Sequence, residues 1–322
     1  MFKSACLRCP PFSGSLSDKA AKLLFCHKSG WKYRPLTPFF RKNHIIIIMF
    51  ITRAVVLKDK VIIMSVKNAA SPQSFVIAAS SMECWYQPIY HVGKKRITEV
   101  EILLRVSDGD AGFFDTEHYV QQAEQSGDLE QIDWWMFCQA CHAFPELNRY
   151  GIEKININLS PSTCMEPGLA RKVGTALITG GVRPGQICME VSESAGLPDE
   201  TSFLQTVREL YDSGISIAID DFGKGYSGLL RLLRMPFHVI KLDKELVWAM
   251  DNQRLAKPLV RNIIEFAGAN HFQVTAEGVE TIRTARSLAE MGCHYLQGYL
   301  ISRPLPFEEL LLFLNQEGKR IL

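Results

Sequence analysis

From Trp85 onward, short apolar runs rich in β-branched and aromatic residues alternate with longer segments whose apolar positions recur every three to four residues. The first pattern suits buried strands and the second amphipathic helices. Strands are predicted at Trp85–Val92, Glu99–Val106, Lys154–Leu159, Gln186–Val191, Ser216–Asp220, His238–Leu242, Gln273–Ala276 and Tyr295–Leu300. Helices are predicted at Phe203–Tyr211, Leu229–Arg234, Leu259–Ala267 and Phe307–Leu314, with two more near His118–Gln125 and Gln131–Phe144. Only Gly93-Lys-Lys-Arg-Ile97 separates the first two strands. That is a hairpin length, too short for a crossover helix. The first strand is therefore expected to be antiparallel and the others parallel.

Alternating strands and helices suit either an open doubly wound sheet or an α/β TIM-like (β/α)8 barrel. The polar positions decide between them. Nearly every predicted strand carries at or near its end a residue costly to bury: Glu101, Asn158, Glu190, Asp220 with Asp221, Lys241, Glu277 and Gln297. A barrel brings such positions to one mouth, where active sites sit. An open sheet would spread them along an edge. The expectation is a barrel over residues 81–322, preceded by an extension, 1–80.

Charge separates the two segments. Residues 1–80 carry 13 of the 36 lysines and arginines but two of the 34 acidic residues, Asp18 and Asp59, so the remainder of the chain is acidic. Such a surface is a poor partner for duplex nucleic acid and suits a site that concentrates metal cations. The apolar run His44–Ile51 is far shorter than the roughly 20 residues that span a bilayer. Membrane contact is expected only at the surface, through this basic extension. Met64 opens a polar stretch resembling a natural N-terminus, so translation is expected to start there and residues 1–80 to be poorly ordered. N-terminal mass spectrometry of the native protein checks the start. The nine cysteines are an odd number in a long chain, which reads as free thiols in a reducing cytoplasm. Cys6-x-x-Cys9 lacks a complete ligand set, and Cys138-x-x-Cys141 falls in a helical pattern where buried thiols are expected.

Taken singly, each strand-end residue has an ordinary role. A lone Glu is solvated, Asp220-Asp221 caps a helix, Lys241 snorkels and Asn158 makes a turn. Their recurrence in successive strands argues for chemistry. Five carboxylates forced together repel one another and raise one another's pKa values. They stay anionic only with cations among them. Oxygen ligands without His or Cys point to Mg²⁺ or Mn²⁺, and adjacent acids suit a two-metal site for phosphoryl hydrolysis. Lys241 would orient the nucleophile or neutralise phosphate charge, and Arg105 would clamp a phosphate. Gly223-Lys-Gly225-Tyr-Ser-Gly228 fits the dinucleotide-binding spacing G-x-G-x-x-G. The two aspartates just before it, however, would face a cofactor pyrophosphate, so a glycine hinge beside the metal site is preferred.

The ordered set Tyr86-Gln-Pro-Ile89, Glu101-Ile-Leu-Leu-Arg105, Ile157-Asn-Leu-Ser160, Glu190-Val-Ser-Glu193, Asp220-Asp-Phe-Gly-Lys-Gly-Tyr-Ser227, Ile240-Lys-Leu-Asp243, Ala276-Glu-Gly-Val-Glu280 and Gln297-Gly-Tyr-Leu300 resembles the EAL family over residues 82–317. These are phosphodiesterases that hydrolyse cyclic di-GMP to linear pGpG. The resemblance implies that Glu101, Asn158, Glu190 and Asp220 hold one metal and that Asp220 and Asp221 hold a second. It implies that Lys241 and Glu277 position or activate the attacking water, with Gln297 supporting that water and the metal. Gln87 and Arg105 would contact substrate, Glu193 and Glu280 would support the glycine loop, and the barrel helices near that loop would form a homodimer.

The name motif here reads Glu101-Ile102-Leu103, Val106 stands where the family often has Trp, and Lys224 where it usually has Thr. Ile102 is expected to face packing rather than chemistry, because alternate strand residues face opposite sides. Two other function classes share part of this pattern: a catalytically weak or inactive relative acting as a cyclic di-GMP sensor or protein-binding adaptor, and a nicotinamide- or flavin-dependent oxidoreductase. Retention of every expected metal ligand favours the hydrolase.

Overall fold

The computed structural model describes residues 82–107, 112–113, 115–192, 199–224 and 234–316 in full, and the backbone of five short strands within 24–63. Two compact units divide between Ser65 and Val66. In the first, Leu24–His27 pairs antiparallel with Gly30–Tyr33. Ile47–Ile48, Ala54–Leu57 and Lys60–Ile63 form an antiparallel three-stranded sheet. The sequence expectation placed the boundary at residue 80.

The second unit is a closed barrel of eight strands: β1 (Met82–His91), β2 (Arg96–Val106), β3 (Lys154–Asn158), β4 (Ile187–Ser192), β5 (Ser216–Phe222), β6 (Val239–Leu242), β7 (Gln273–Ala276) and β8 (Tyr295–Gln297). β1 runs antiparallel to both β2 and β8, and the remaining neighbours are parallel. The fold thus has the predicted architecture, including its reversed first strand. A two-residue strand, β9 (Leu305–Pro306), adds to the rim of β1.

The helices are α1 (Thr116–Ser126), α2 (Leu129–Arg149), α3 (Pro161–Cys164), α4 (Leu169–Gly180), α5 (Glu200–Asp212), α6 (Lys244–Asn252), α7 (Ala256–Ala269), α8 (Ile282–Glu290) and α9 (Phe307–Asn315). The predicted helix at Leu229–Arg234 and the glycine loop beyond Lys224 lie outside the described residues, as do Cys6, Cys9 and the proposed start at Met64. Among the described residues no helix is long and apolar enough to cross a membrane.

Strand alternation sorts the residues into two cores. One set, including Ile102, Ile157, Met189, Ile219 and Ile240, is buried with helix residues such as Phe144, Leu177, Phe203 and Ile264. Ile102 is 1% exposed, so the departure in the name motif lies in packing; truncation to Ala would cost about 2–5 kcal/mol. The other set lines the barrel interior. Cys188, Ala218 and Val239 form a small apolar layer there, each two residues before a polar residue of the mouth. Cys138 and Cys141 lie on α2, where burial pushes their thiols up to about 11 and about 12, matching the expected inert cysteines.

Candidate active site

The apolar layer supports a polar one. Lys241, 2% exposed, rises from β6 into the barrel mouth and stands at its centre. Its Nζ lies 2.7 Å from Glu190 Oε2, 2.8 Å from Glu277 Oε1, 3.1 Å from Asp220 Oδ1 and 3.5 Å from Glu101 Oε2. These acids come from β4, the end of β7, β5 and β2. Asn158 Nδ2 donates to Glu101 Oε1 at 3.2 Å, and Gln297 Nε2 donates to Glu101 Oε2 at 2.6 Å and to Gln87 Oε1 at 3.1 Å. Gln87 Nε2 in turn donates to the Ser302 carbonyl. The structure therefore gathers eight predicted residues: Gln87, Glu101, Asn158, Glu190, Asp220, Lys241, Glu277 and Gln297.

Asp221, next in the chain, sits at a backbone irregularity. A regular strand would send consecutive aspartates to opposite faces. Here the pairing of β5 with β6 shifts between Ile219 and Phe222, and Asp221 sits at φ 57°. The bulge re-aims a side chain, a common use of such a bulge beside active sites. Burial, then the neighbouring Asp220 carboxylate, pushes the Asp221 carboxyl up.

Arg105 stands apart. Its guanidinium donates to the Leu104 carbonyl at 2.8 Å and lies over the Trp85 ring at 5.7 Å. Glu280 is exposed on the wall of the cleft. Glu193 lies outside the described residues.

Four carboxylates around one ammonium leave an excess of negative charge in a place largely closed to water. Burial, then the Glu101 charge, pushes the Glu190 carboxyl far above the usual carboxylate range. Burial, with Asp220 and Glu101 adding to it against Lys241, pushes Glu277 up to about 8. For Lys241, burial opposes the charged form, but the carboxylates of Asp220, Glu101, Glu190 and Glu277 hold the ammonium well above its ordinary value. Buried Glu190 Oε1 and Gln297 Oε1 have no hydrogen-bond partner, an expensive condition for a buried acceptor. Among the described residues no three His, Cys, Asp or Glu side chains form a ready-made metal cluster, because the carboxylates gather on Lys241. The donor chemistry nonetheless fits a hard divalent cation: oxygen atoms only, surplus negative charge and an orphaned carboxylate oxygen.

Above the cluster opens a cleft of about 300 Å³, walled in part by Leu103, Lys244, Trp248, Gly278 and Tyr299. The Glu277 loop is clamped from both sides. Glu277 N donates to the Leu242 carbonyl, Val279 N to the Gln297 carbonyl, and Leu300 N to the Val279 carbonyl. At Gly298 (φ 154°) a Cβ would meet Val279 N at 2.2 Å, so only glycine permits this approach.

This arrangement has known relatives. The sequence model described as the EAL domain matches residues 69–304. The chain belongs to the EAL domain family. The EAL chain is 32% identical over 236 residues to the cyclic di-GMP phosphodiesterase NbdA of Pseudomonas aeruginosa, covering 73% of this chain and 30% of that protein. It is 29% identical over 231 residues to the phosphodiesterase RocR of the same organism, covering 71% and 59%. It thus spans about a third of NbdA. Among solved structures, the PaMucR phosphodiesterase in complex with c-di-GMP superposes with TM-score 0.67 at 31% identity, covering 72% of this chain and 94% of that one. Klebsiella pneumoniae BlrP1, in a manganese and cy-diGMP complex, superposes with TM-score 0.63 at 29% identity, covering 70% and 57%.

In the EAL barrel an aromatic wall, Trp248 and Tyr299, flanks the cleft; Tyr299 falls in a quoted motif without a role, and Trp248 falls in none. A signal for Trp248 existed. Asp243 caps α6 by accepting from Glu245 N, and Lys244 and Trp248, at i and i+4, then share the face nearest the strand ends.

Proposed function

We propose that this chain is a metal-dependent phosphodiesterase that hydrolyses cyclic di-GMP to linear pGpG. The observation that carries the proposal is the mouth of the barrel, with four carboxylates, one buried lysine and an orphaned carboxylate oxygen gathered beneath a cleft of about 300 Å³. Membership of the EAL family and relatives named for this activity support the substrate.

Glu101, Asn158, Glu190 and Asp220 would hold one divalent cation, Mg²⁺ or Mn²⁺, and Asp220 with Asp221 a second. Bound there, the cations supply Lewis-acid polarisation and neutralise charge developing on the phosphodiester. Lys241 holds the carboxylates in place and offers its ammonium to the reacting phosphate. Lys241 and Glu277, 2.8 Å apart, frame the position of the attacking water; the Lys241 ammonium orients it, and the Glu277 carboxylate is the member of the pair able to accept its proton. Gln297 fixes Glu101 and Gln87 together, joining the catalytic cluster to a substrate contact. Arg105, near the end of β2, would contact the substrate, its fork suiting a phosphate or a base edge. Glu193 and Glu280 support the glycine loop, and the protein pairs as a homodimer through its barrel helices, which light scattering at micromolar concentration tests.

The test is chromatography of the full chain incubated with cyclic di-GMP and Mg²⁺, Mn²⁺ or EDTA. Metal-dependent formation of pGpG, absent with EDTA, is expected. A folded protein that forms no product with either metal overturns the proposal.

A further inference from the structure

The chemistry so far leaves Trp248 unused. On α6 it follows Lys244 by one turn, and both side chains line the cleft beside Glu277. Trp248 is 44% exposed, yet its indole is fixed at one edge, because Nε1 donates to the Gly278 carbonyl at 2.8 Å. Gly278, at φ 62°, makes that approach feasible. A Cβ there would meet Lys244 Cβ at 2.4 Å and Trp248 Nε1 at 3.1 Å. A tryptophan serving packing alone hides its ring and satisfies its N–H. This one satisfies the N–H, stays 44% exposed and belongs to the cleft wall. Lys244 Nζ lies over the ring, 5.8 Å from its centroid, placing positive charge above one of its faces.

An exposed aromatic plane held in one orientation is what base stacking requires, since every nucleobase offers a π face. We infer that Trp248 is the stacking platform for one purine base of the cyclic dinucleotide, a binding residue that governs affinity while the carboxylate–lysine cluster governs the chemistry. The inference rests on the cyclic di-GMP reading above and adds a contact to it. Preorganisation is part of its value, because a ring already fixed by Gly278 loses little freedom when the base arrives.

The test compares Trp248→Leu and Trp248→Phe in the full chain. Leu keeps apolar bulk without a π face. Phe keeps a ring but loses the hydrogen bond to Gly278. Stacking predicts that Leu raises KM for cyclic di-GMP about tenfold with little change in kcat, and that Phe raises it no more than about threefold. In a Glu277→Gln background with Mg²⁺, cyclic di-GMP should quench tryptophan emission, and both Trp248 variants should lose that quenching. A fall in kcat with KM unchanged in both variants would make Trp248 a clamp on the Glu277 loop and overturn the inference, as would quenching that survives without Trp248. Absence of pGpG from the unsubstituted protein would bring down the functional reading, and the inference with it. Product formation with an unmoved KM would bring down the inference alone.

Discussion

The interior of this barrel holds lysine and carboxylate together at two levels, with different balances. At the lower level Glu99 faces Lys154 at 3.7 Å, accepts from Asn156 Nδ2 at 3.1 Å, and lies beside the phenol of Tyr295. One negative charge meets one positive charge, and the Tyr295 hydroxyl also accepts from Gln273 at 3.2 Å. At the mouth, Lys241 meets four carboxylates, and two buried acceptor oxygens have no donor. Buried charges persist when they are paired and hydrogen-bonded. The lower cluster meets that condition with protein atoms alone. The upper one does not, and the cations proposed above would make up the deficit. Residue type does not separate a structural polar core from a functional site here; the sum of charges does.

The largest break of the comparison is loss of the upper lysine. Lys241→Met strands several buried acids and should lower the unfolding free energy by about 3–5 kcal/mol, besides abolishing turnover. Lys154→Met strands one acid and should cost less. Urea denaturation of the two variants at neutral pH measures the difference. The next contrast is between the acids two residues apart on β2. Glu101→Ala should abolish hydrolysis in a folded protein. Glu99→Gln should leave turnover within about twofold and cost about 1–3 kcal/mol of stability, readable by the product assay together with thermal melting. A smaller effect is expected from Gly298→Ala, which pushes on Val279 and so on the Glu277 loop. A displacement of about 1 Å there should lower kcat by up to about a hundredfold with the fold retained.

The smallest effect belongs to the lower end alone. His238 Nδ1 accepts from Ile217 N, and His294 Nδ1 accepts from Val274 N, both at 3.2 Å. Burial holds both imidazoles below the ordinary value of 6.5, and Lys154 adds to the effect at His238. A depressed folded value means that the neutral ring is favoured in the fold. The stabilisation is therefore complete above pH 6.5 and is lost as pH falls through the lower folded values. Melting temperature should drop below pH 6.5, and the drop should shrink in His238→Gln/His294→Gln. An unchanged pH slope in the double variant would remove these residues from the account.

Much of this was legible in the sequence, for physical reasons. Strands buried on both faces read as continuous apolar runs, so a charged residue at their ends stood out and gave the mouth. The short link at Gly93 gave the reversed first strand. The last strand, predicted through Leu300, ends at Gln297, because Gly298 turns the chain at φ 154° to meet Val279. The central place of Lys241 was not legible, since spacing along a strand does not say which charges meet across a barrel. The bulge that brings Asp221 beside Asp220 is invisible to a period-two pattern. Glu99, Lys154 and Asn156 escaped notice because they lie before the C-terminal strand ends that form the mouth. Trp248 falls outside every predicted helix, and its hold by the Gly278 carbonyl is a contact across the barrel mouth that no spacing along the chain reveals.

The central claim is that the mouth binds divalent cation because its charges do not balance, while the lower cluster does not because its charges do. Calorimetric titration of Mn²⁺ into the full chain, Glu190→Gln and Glu99→Gln tests it most directly. The account predicts saturable binding to the unsubstituted chain and to Glu99→Gln, and binding at least about tenfold weaker to Glu190→Gln. Equal binding by all three, or none by the unsubstituted chain, would contradict it.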